Sequence, residues 1–236
     1  MPWGRRAVAK VSHHAQLAGS TILPQSRRAF SSAAAMDIRL LPVEQSVMMM
    51  RTESALHTIT VYEGQPPIDF LRHRVAEMAR ANPWLAGSLV GAGGVTVLRH
   101  PVDPKGDCVE HLFYSPECGT VRNHRTLPGS AAVYRLPQQE GMSYSQMVAA
   151  LRPMTVKTGA AAVNKDEPVF CVSVLRQGKS KWWLSVSLSH VVGDAHTFYS
   201  LHNMLGESSE VKRMDAVRNR QAEARESLHN SVALDG

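Results

Sequence analysis

Residues 169–175 and 181–190 are two apolar runs of strand length, separated by the turn-forming Gln177-Gly178-Lys179-Ser180. Each is too short for a core helix and is bounded by turn residues, so together they predict neighbouring strands. The first run, Val-Phe-Cys-Val-Ser-Val-Leu, has no charged residue and reads as buried. A buried sheet needs cover. Pro66-Pro67 opens a helix whose apolar residues Ile68, Leu71, Val75 and Met78 form one stripe, and Asn82-Pro83 ends it. A second helix is expected over 194–205, after the Gly193 break. Further strands are expected over 36–43 and 55–62. Residues 87–90 and 95–100 read as a hairpin around Gly91-Ala92-Gly93-Gly94. Loops and short strands are expected over 101–141, a helix over 143–151 capped by Ser143, and a loop over 157–168. Mixed strands and helices without strict alternation predict an α/β fold, a mixed sheet with helices on one face.

The chain has 236 residues, 44% hydrophobic and 19% charged, enough for one domain with a real core. No apolar stretch approaches the roughly 18 residues of a membrane helix, so no membrane span is expected. Three cysteines make no disulfide scaffold and fit a reducing compartment. The net charge of +6 is unevenly placed. Residues 1–35 carry Arg5, Arg6, Lys10, Arg27 and Arg28 and no acid. Subtracting those five leaves +1 for the rest, so the basicity marks no nucleic-acid face. An acid-free, arginine-bearing, serine-containing N-terminus reads as a mitochondrial presequence, with processing near Phe30. A plastid transit peptide and a solvated cytoplasmic tail stay open. The expected organisation is a presequence over 1–35, a domain over 36–206, and a charged tail over 207–236, helical or disordered, with Val211, Met214 and Val217 as its stripe.

Several motifs compete for attention. Cys108, His111, Cys118 and His124 could ligate zinc, but their spacing fits no standard module and no metal is expected. The glycine run 91–94 lacks the Lys-Ser/Thr of a phosphate loop. Trp182 and Trp183 read as one core and one surface residue. Met48-Met49-Met50 is adaptable apolar filler that could equally line a tunnel.

The stretch Leu184-Ser185-Val186-Ser187-Leu188-Ser189-His190-Val191-Val192-Gly193-Asp194-Ala195 carries the chemistry. Strand parity places Leu184, Val186, Leu188 and His190 on one face. His190 is then an inward histidine at a strand end, a setting suited to a general base. A core histidine bonded to a backbone carbonyl has the same parity. Asp194 falls in the first turn of the next helix, where the helix N-terminus stabilises a carboxylate. An ion pair there would brace the loop.

Residues Ser189–Ala195 resemble the H-H-x-x-x-D-G motif of the chloramphenicol acetyltransferase-like superfamily. Residues 80–89 and 196–201 are similar to long acyltransferases of that group. The resemblance implies a two-layer α/β sandwich and transfer of an acyl group from a CoA thioester to an alcohol or amine. It implies His190 as the base and Asp194 as its structural brace, with no bound cofactor and acyl-CoA as co-substrate beside a small-molecule acceptor. Ser189 stands for the motif's first His and Ala195 for its Gly. The resemblance reaches one half of the two-domain members, which implies a homo-oligomer, such as a trimer, or a partner domain to complete the site. A non-catalytic half domain, for binding or assembly, or an incomplete gene product is the alternative.

Overall fold

The computed structural model describes residues 7–9, 34–52, 55–106, 110–115, 155–177 and 179–216. Eight strands and three α-helices are found there, in the order β1 (Ala7–Ala9), β2 (Ala35–Arg39), β3 (Leu56–Glu63), α1 (Ile68–Ala81), β4 (Ser88–Ala92), β5 (Val95–Pro101), β6 (Phe113–Tyr114), α2 (Gly159–Ala162), β7 (Phe170–Gln177), β8 (Lys181–Leu188) and α3 (Ala195–Met204). A five-stranded sheet has the order β1-β3-β8-β7-β6, and a smaller sheet the order β2-β5-β4. Only β6 runs parallel to its neighbour, so the large sheet is mixed. An isolated bridge links Ser88 of β4 to Pro168, two residues before β7.

The architecture is the expected α/β arrangement, with a second sheet that the sequence did not separate from the first. The core lies on one face of the large sheet. Trp182, Leu184, Val186 and Leu188 of β8 meet Phe170, Val172 and Val174 of β7 there. The helices cover them with Leu71, Val75, Met78 and Ala79 from α1 and Phe198, Leu201 and Met204 from α3. Each such Val, Leu, Phe or Met side chain contributes about 1.5–3 kcal/mol by leaving water. Trp182 stacks on Tyr62 at 4.4 Å and 18°. The β4–β5 pairing runs up to Ala92↔Val95, leaving a two-residue turn. Its residues, Gly93 and Gly94, have φ of 56° and 81°, as a right-twisted hairpin turn requires.

Four expectations are corrected. Trp183 is no surface residue; it is 1% exposed, in a second apolar cluster with Leu175, Ile59, Val61 and Tyr114 on the opposite face. Strand β8 stops at Leu188, two residues before His190. Residues 157–168 contain one helical turn, α2. Residues 209–216 form no helix; Val211, Met214 and Ala216 pack on the core as an irregular strap. Asn82 fixes that strap. Its Nδ2 donates to the Lys212 carbonyl at 2.9 Å, and its Oδ1 accepts from the Met214 N–H at 2.7 Å. The expected helix over 143–151 lies outside the described residues, as does Val217. Ala7–Ala9, within the stretch read as a presequence, pairs with Val61, Thr60 and Ile59 at the edge of β3.

Candidate active site

The chain leaves β8 through a tight turn. The Ser189 N–H donates to the Val169 carbonyl at 2.7 Å, and the Val192 N–H donates to the Ser189 carbonyl at 3.1 Å. Val191 and Val192, 1% and 2% exposed, anchor the turn in the core. His190 lies between this anchor and the strand. It is half-buried in the turn, two residues beyond the end of the strand. Its Nδ1 is enclosed and has no hydrogen-bond partner among the described residues. The carbonyl bond of an ordinary core histidine is therefore missing at that nitrogen. The neighbouring Ser189 hydroxyl is also enclosed without a partner, as are Thr58 Oγ1 of β3 and Ser185 Oγ of β8. Buried polar groups are normally bonded, so this strand pair and its exit turn hold an unusual share of orphans.

Gly193 brings the turn against both neighbouring elements. A Cβ there would sit 2.8 Å from Leu188 Cδ2 and 2.9 Å from Thr197 Cγ2. Asp194 follows as the N-cap of α3, exposed, with its Oδ1 accepting the Thr197 N–H at 2.8 Å. This bond holds its carboxyl below the usual carboxylate range, with partial burial opposing and His196 assisting. An ion pair was expected at Asp194; among the described residues the cap takes that place. Ala195 is the first residue of α3 and has no positive φ, so the motif's glycine is not needed here.

Three segments meet behind the turn. Gly159, at the start of α2, is so close to Val191 and Met50 that a Cβ would lie 2.6 Å from Val191 Cγ2 and 2.8 Å from Met50 Sδ. Met50 belongs to a π-helical turn, Met48–Thr52, so part of the methionine run adjoins the His190 turn. The Val156 N–H, just before α2, donates to Ser187 Oγ of β8 at 3.1 Å. Sequence reasoning missed Gly159; the alanine-rich run after it signalled only a loop.

Other sequence candidates fall elsewhere. Cys108, Cys118 and His124 lie outside the described residues. Among those described, no group of His, Cys, Asp or Glu could hold a metal ion, and no helix is long and apolar enough to cross a membrane. An open cleft of about 530 Å³ runs along α1, lined by Asp69, Arg72, His73, Arg80, Lys105 and Glu110 among others. It shares no residue with the His190 turn. Its charges are largely paired, Arg72 with Glu110 at 3.1 Å and Lys105 with Asp103 at 2.5 Å.

No protein-family profile matches the chain, and no curated protein sequence does. Solved structures do. F. graminearum TRI101 complexed with ethyl coenzyme A is 14% identical, with a TM-score of 0.44 over 73% of this chain and 38% of its own. The starter condensation domain of rhizomide synthetase RzmA is 12% identical, with a TM-score of 0.45 over 72% and 36%. The first condensation domain of the CDA synthetase is 10% identical, with a TM-score of 0.43 over 72% and 37%. The chain thus spans well under half the length of the structures it matches.

Proposed function

We propose that the chain carries the histidine-bearing half of an acyltransferase, in which His190 takes a proton from an alcohol or amine acceptor as it attacks a CoA thioester. The observation that supports this best is the unbonded, enclosed Nδ1 of a half-buried histidine on a turn fixed by Val191, Val192 and Gly193. To take the proton through Nε2, the neutral ring carries its own proton on Nδ1, where packing rather than a hydrogen bond among the described residues holds it. The acceptor oxygen or nitrogen adds to the thioester carbonyl and its proton passes to the imidazole. The tetrahedral intermediate expels the CoA thiolate, which recovers the proton from His190. Asp194 acts at a distance, by capping α3 and so fixing where the turn ends. Acyl-CoA is a co-substrate in this reading, and a second wall from another copy or domain excludes water from the thioester. Residues 1–35 are proposed as an organellar leader, supported by their five basic and zero acidic residues.

The test is thiol release from acyl-CoA across a panel of alcohols and amines, for wild type, His190→Ala and Ser189→Ala. Removing a general base costs about 100- to 10,000-fold. His190→Ala is expected to lose transfer by that factor with an unchanged circular dichroism spectrum. Ser189→Ala removes an orphan hydroxyl and is expected to keep most of the rate. Equal turnover by wild type and His190→Ala would overturn the assignment. No turnover by any of the three would favour a non-catalytic module.

A further inference from the structure

His190 stands between residues that a single segment holds. That segment runs from Val156 to Val169 and leads into β7. At its start, the Val156 N–H donates to Ser187 Oγ at 3.1 Å. At its end, the Val169 carbonyl accepts the Ser189 N–H at 2.7 Å. Midway, Gly159 packs so close to Val191 that a Cβ would lie 2.6 Å from Cγ2. Ser187, Ser189 and Val191 are alternate residues along the exit of β8, so His190 has a held neighbour on either side. Lys157 and Glu167 form an ion pair that closes the neck of the segment.

The tip of the segment is fastened to the other sheet. The Asn164 N–H donates to the Leu89 carbonyl at 2.9 Å, and Asn164 Oδ1 accepts the Gly91 N–H at 3.0 Å. Leu89 and Gly91 are two apart on β4, so one asparagine satisfies two successive outward groups of that strand. It does so with left-handed backbone, at φ 58°. Asp166, at φ 52°, is the other non-glycine residue with positive φ among the described residues. Asn and Asp tolerate this region best, and such conformations persist where their surroundings over-determine them. The segment is thus a strut. One end grips the His190 turn through Val169 and Gly159, and the other is tied to β4 by Asn164. Gly159 presents no flexible side chain to Val191, so a displacement of the strut passes to the turn.

We propose that Asn164 is a positioning residue for His190: by tying the 156–169 segment to β4, it fixes the turn from which the imidazole acts. The kinetic part of this assignment rests on the acyl-transfer reading; the structural part does not.

Wild type, Asn164→Gly and Asn164→Asp, all full length, test it. Glycine adopts the left-handed backbone freely and deletes only the side-chain bond to Gly91. Aspartate keeps an acceptor oxygen there and tolerates the same φ. That bond lies at the surface, so its loss leaves the core intact. Thiol release from acyl-CoA gives kcat and KM. Nuclear magnetic resonance follows the Val191 methyls and the His190 ring, with the Met78 methyl of α1 as control. Asn164→Gly is expected to lose about tenfold in kcat with KM held within about twofold, the mark of a displaced group rather than of lost binding. Its Val191 and His190 resonances should shift while Met78 stays. Asn164→Asp should return kcat to within about threefold of wild type, because the acceptor is restored. A change in stability alone would move neither kcat nor the resonances of the folded protein. The proposal is overturned if Asn164→Gly keeps the wild-type kcat, if Val191 and His190 do not shift, or if Asn164→Asp restores nothing. A wild-type chain without turnover would instead overturn the acyl-transfer reading, and the resonances alone would then decide whether Asn164 holds the turn.

Discussion

Asn82 and His190 both sit where a secondary element ends, both reach into the interior, and the structure treats them oppositely. Asn82 closes α1 and is 1% exposed. Its side chain donates to the carbonyls of Met78 and Lys212 and accepts from the Met214 N–H, and its own N–H donates to the Met78 carbonyl. His190, two residues past the end of β8, has an enclosed Nδ1 with no bond among the described residues. Leaving a buried polar group unbonded costs about 1–3 kcal/mol, so a fold keeps such a group only where packing or chemistry over-determines it. The contrast separates a polar residue that holds the molecule together from one held ready by the molecule.

The comparison makes opposite predictions for two alanine substitutions. His190→Ala should raise the barrier of acyl transfer by about 3–5 kcal/mol, the equivalent of its expected rate loss, and leave stability nearly unchanged. Asn82→Ala should do the reverse. It strands the Met214 N–H and the Lys212 carbonyl, which costs about 2–3 kcal/mol and lowers the melting temperature by roughly 5–10 °C. It should also free the strap, read as faster amide exchange at residue 214. Thermal unfolding of both variants is the check. If His190→Ala destabilises as much as Asn82→Ala, His190 is a structural residue after all and the contrast collapses.

Local pattern made much of this fold legible before any coordinates. The β7–β8 pair, α1 with its Leu71-Val75-Met78 stripe, and the Gly93-Gly94 hairpin are all set by neighbours within a few residues. Asn82 was legible only as the end of a helix, because its partners lie 130 and 132 residues away in sequence. Two-residue β6 was legible only as one of the short strands expected over 101–141, since its pairing with Val172 and Ser173 depends on tertiary placement rather than on periodicity. Trp182 and Trp183 read as one core and one surface residue because adjacent strand residues face opposite ways. Both faces are covered at this point, and alternation cannot show that. At the site, the residues Ser189–Ala195 were legible as a motif and Asp194 as a helix start. The packing of Gly159 against Val191 and Met50 comes from contacts between distant segments.

That packing offers the next way to sharpen the contrast. Gly159→Ala places a methyl 2.6 Å from Val191 Cγ2 and 2.8 Å from Met50 Sδ. The methionine can swing away, but Val191 is β-branched and buried, so the turn itself must shift. Overpacking of this kind costs about 1–3 kcal/mol. If the position of His190 matters to transfer, the rate should fall more than stability alone explains. Thiol release and urea unfolding on the same preparation measure both. A rate unchanged alongside a clear loss of stability would show that the turn tolerates displacement.

The smallest effect concerns Asp194, and pH isolates it. Its carboxyl lies below the usual range chiefly because the Thr197 N–H donates to it, so folding favours the charged form. A carboxylate depressed on folding stabilises the native state above its unfolded value, about 3.9, and that contribution is lost as pH falls through the lower folded value. Asp194→Ala removes the cap altogether and should cost about 1 kcal/mol near neutral pH. Asn is about as good an N-cap as Asp, so Asp194→Asn should cost only a few tenths there. The two variants then diverge on acidification. The gap between wild type and Asp194→Asn should close or reverse sign as the wild-type carboxylate protonates, because the amide has no charge to lose. Urea unfolding of the three proteins from neutral pH down to the acid limit of the wild-type fold measures this. A gap that stays constant across the whole range would mean that Asp194 caps α3 through its oxygen alone, and that its charge contributes nothing to holding the His190 turn.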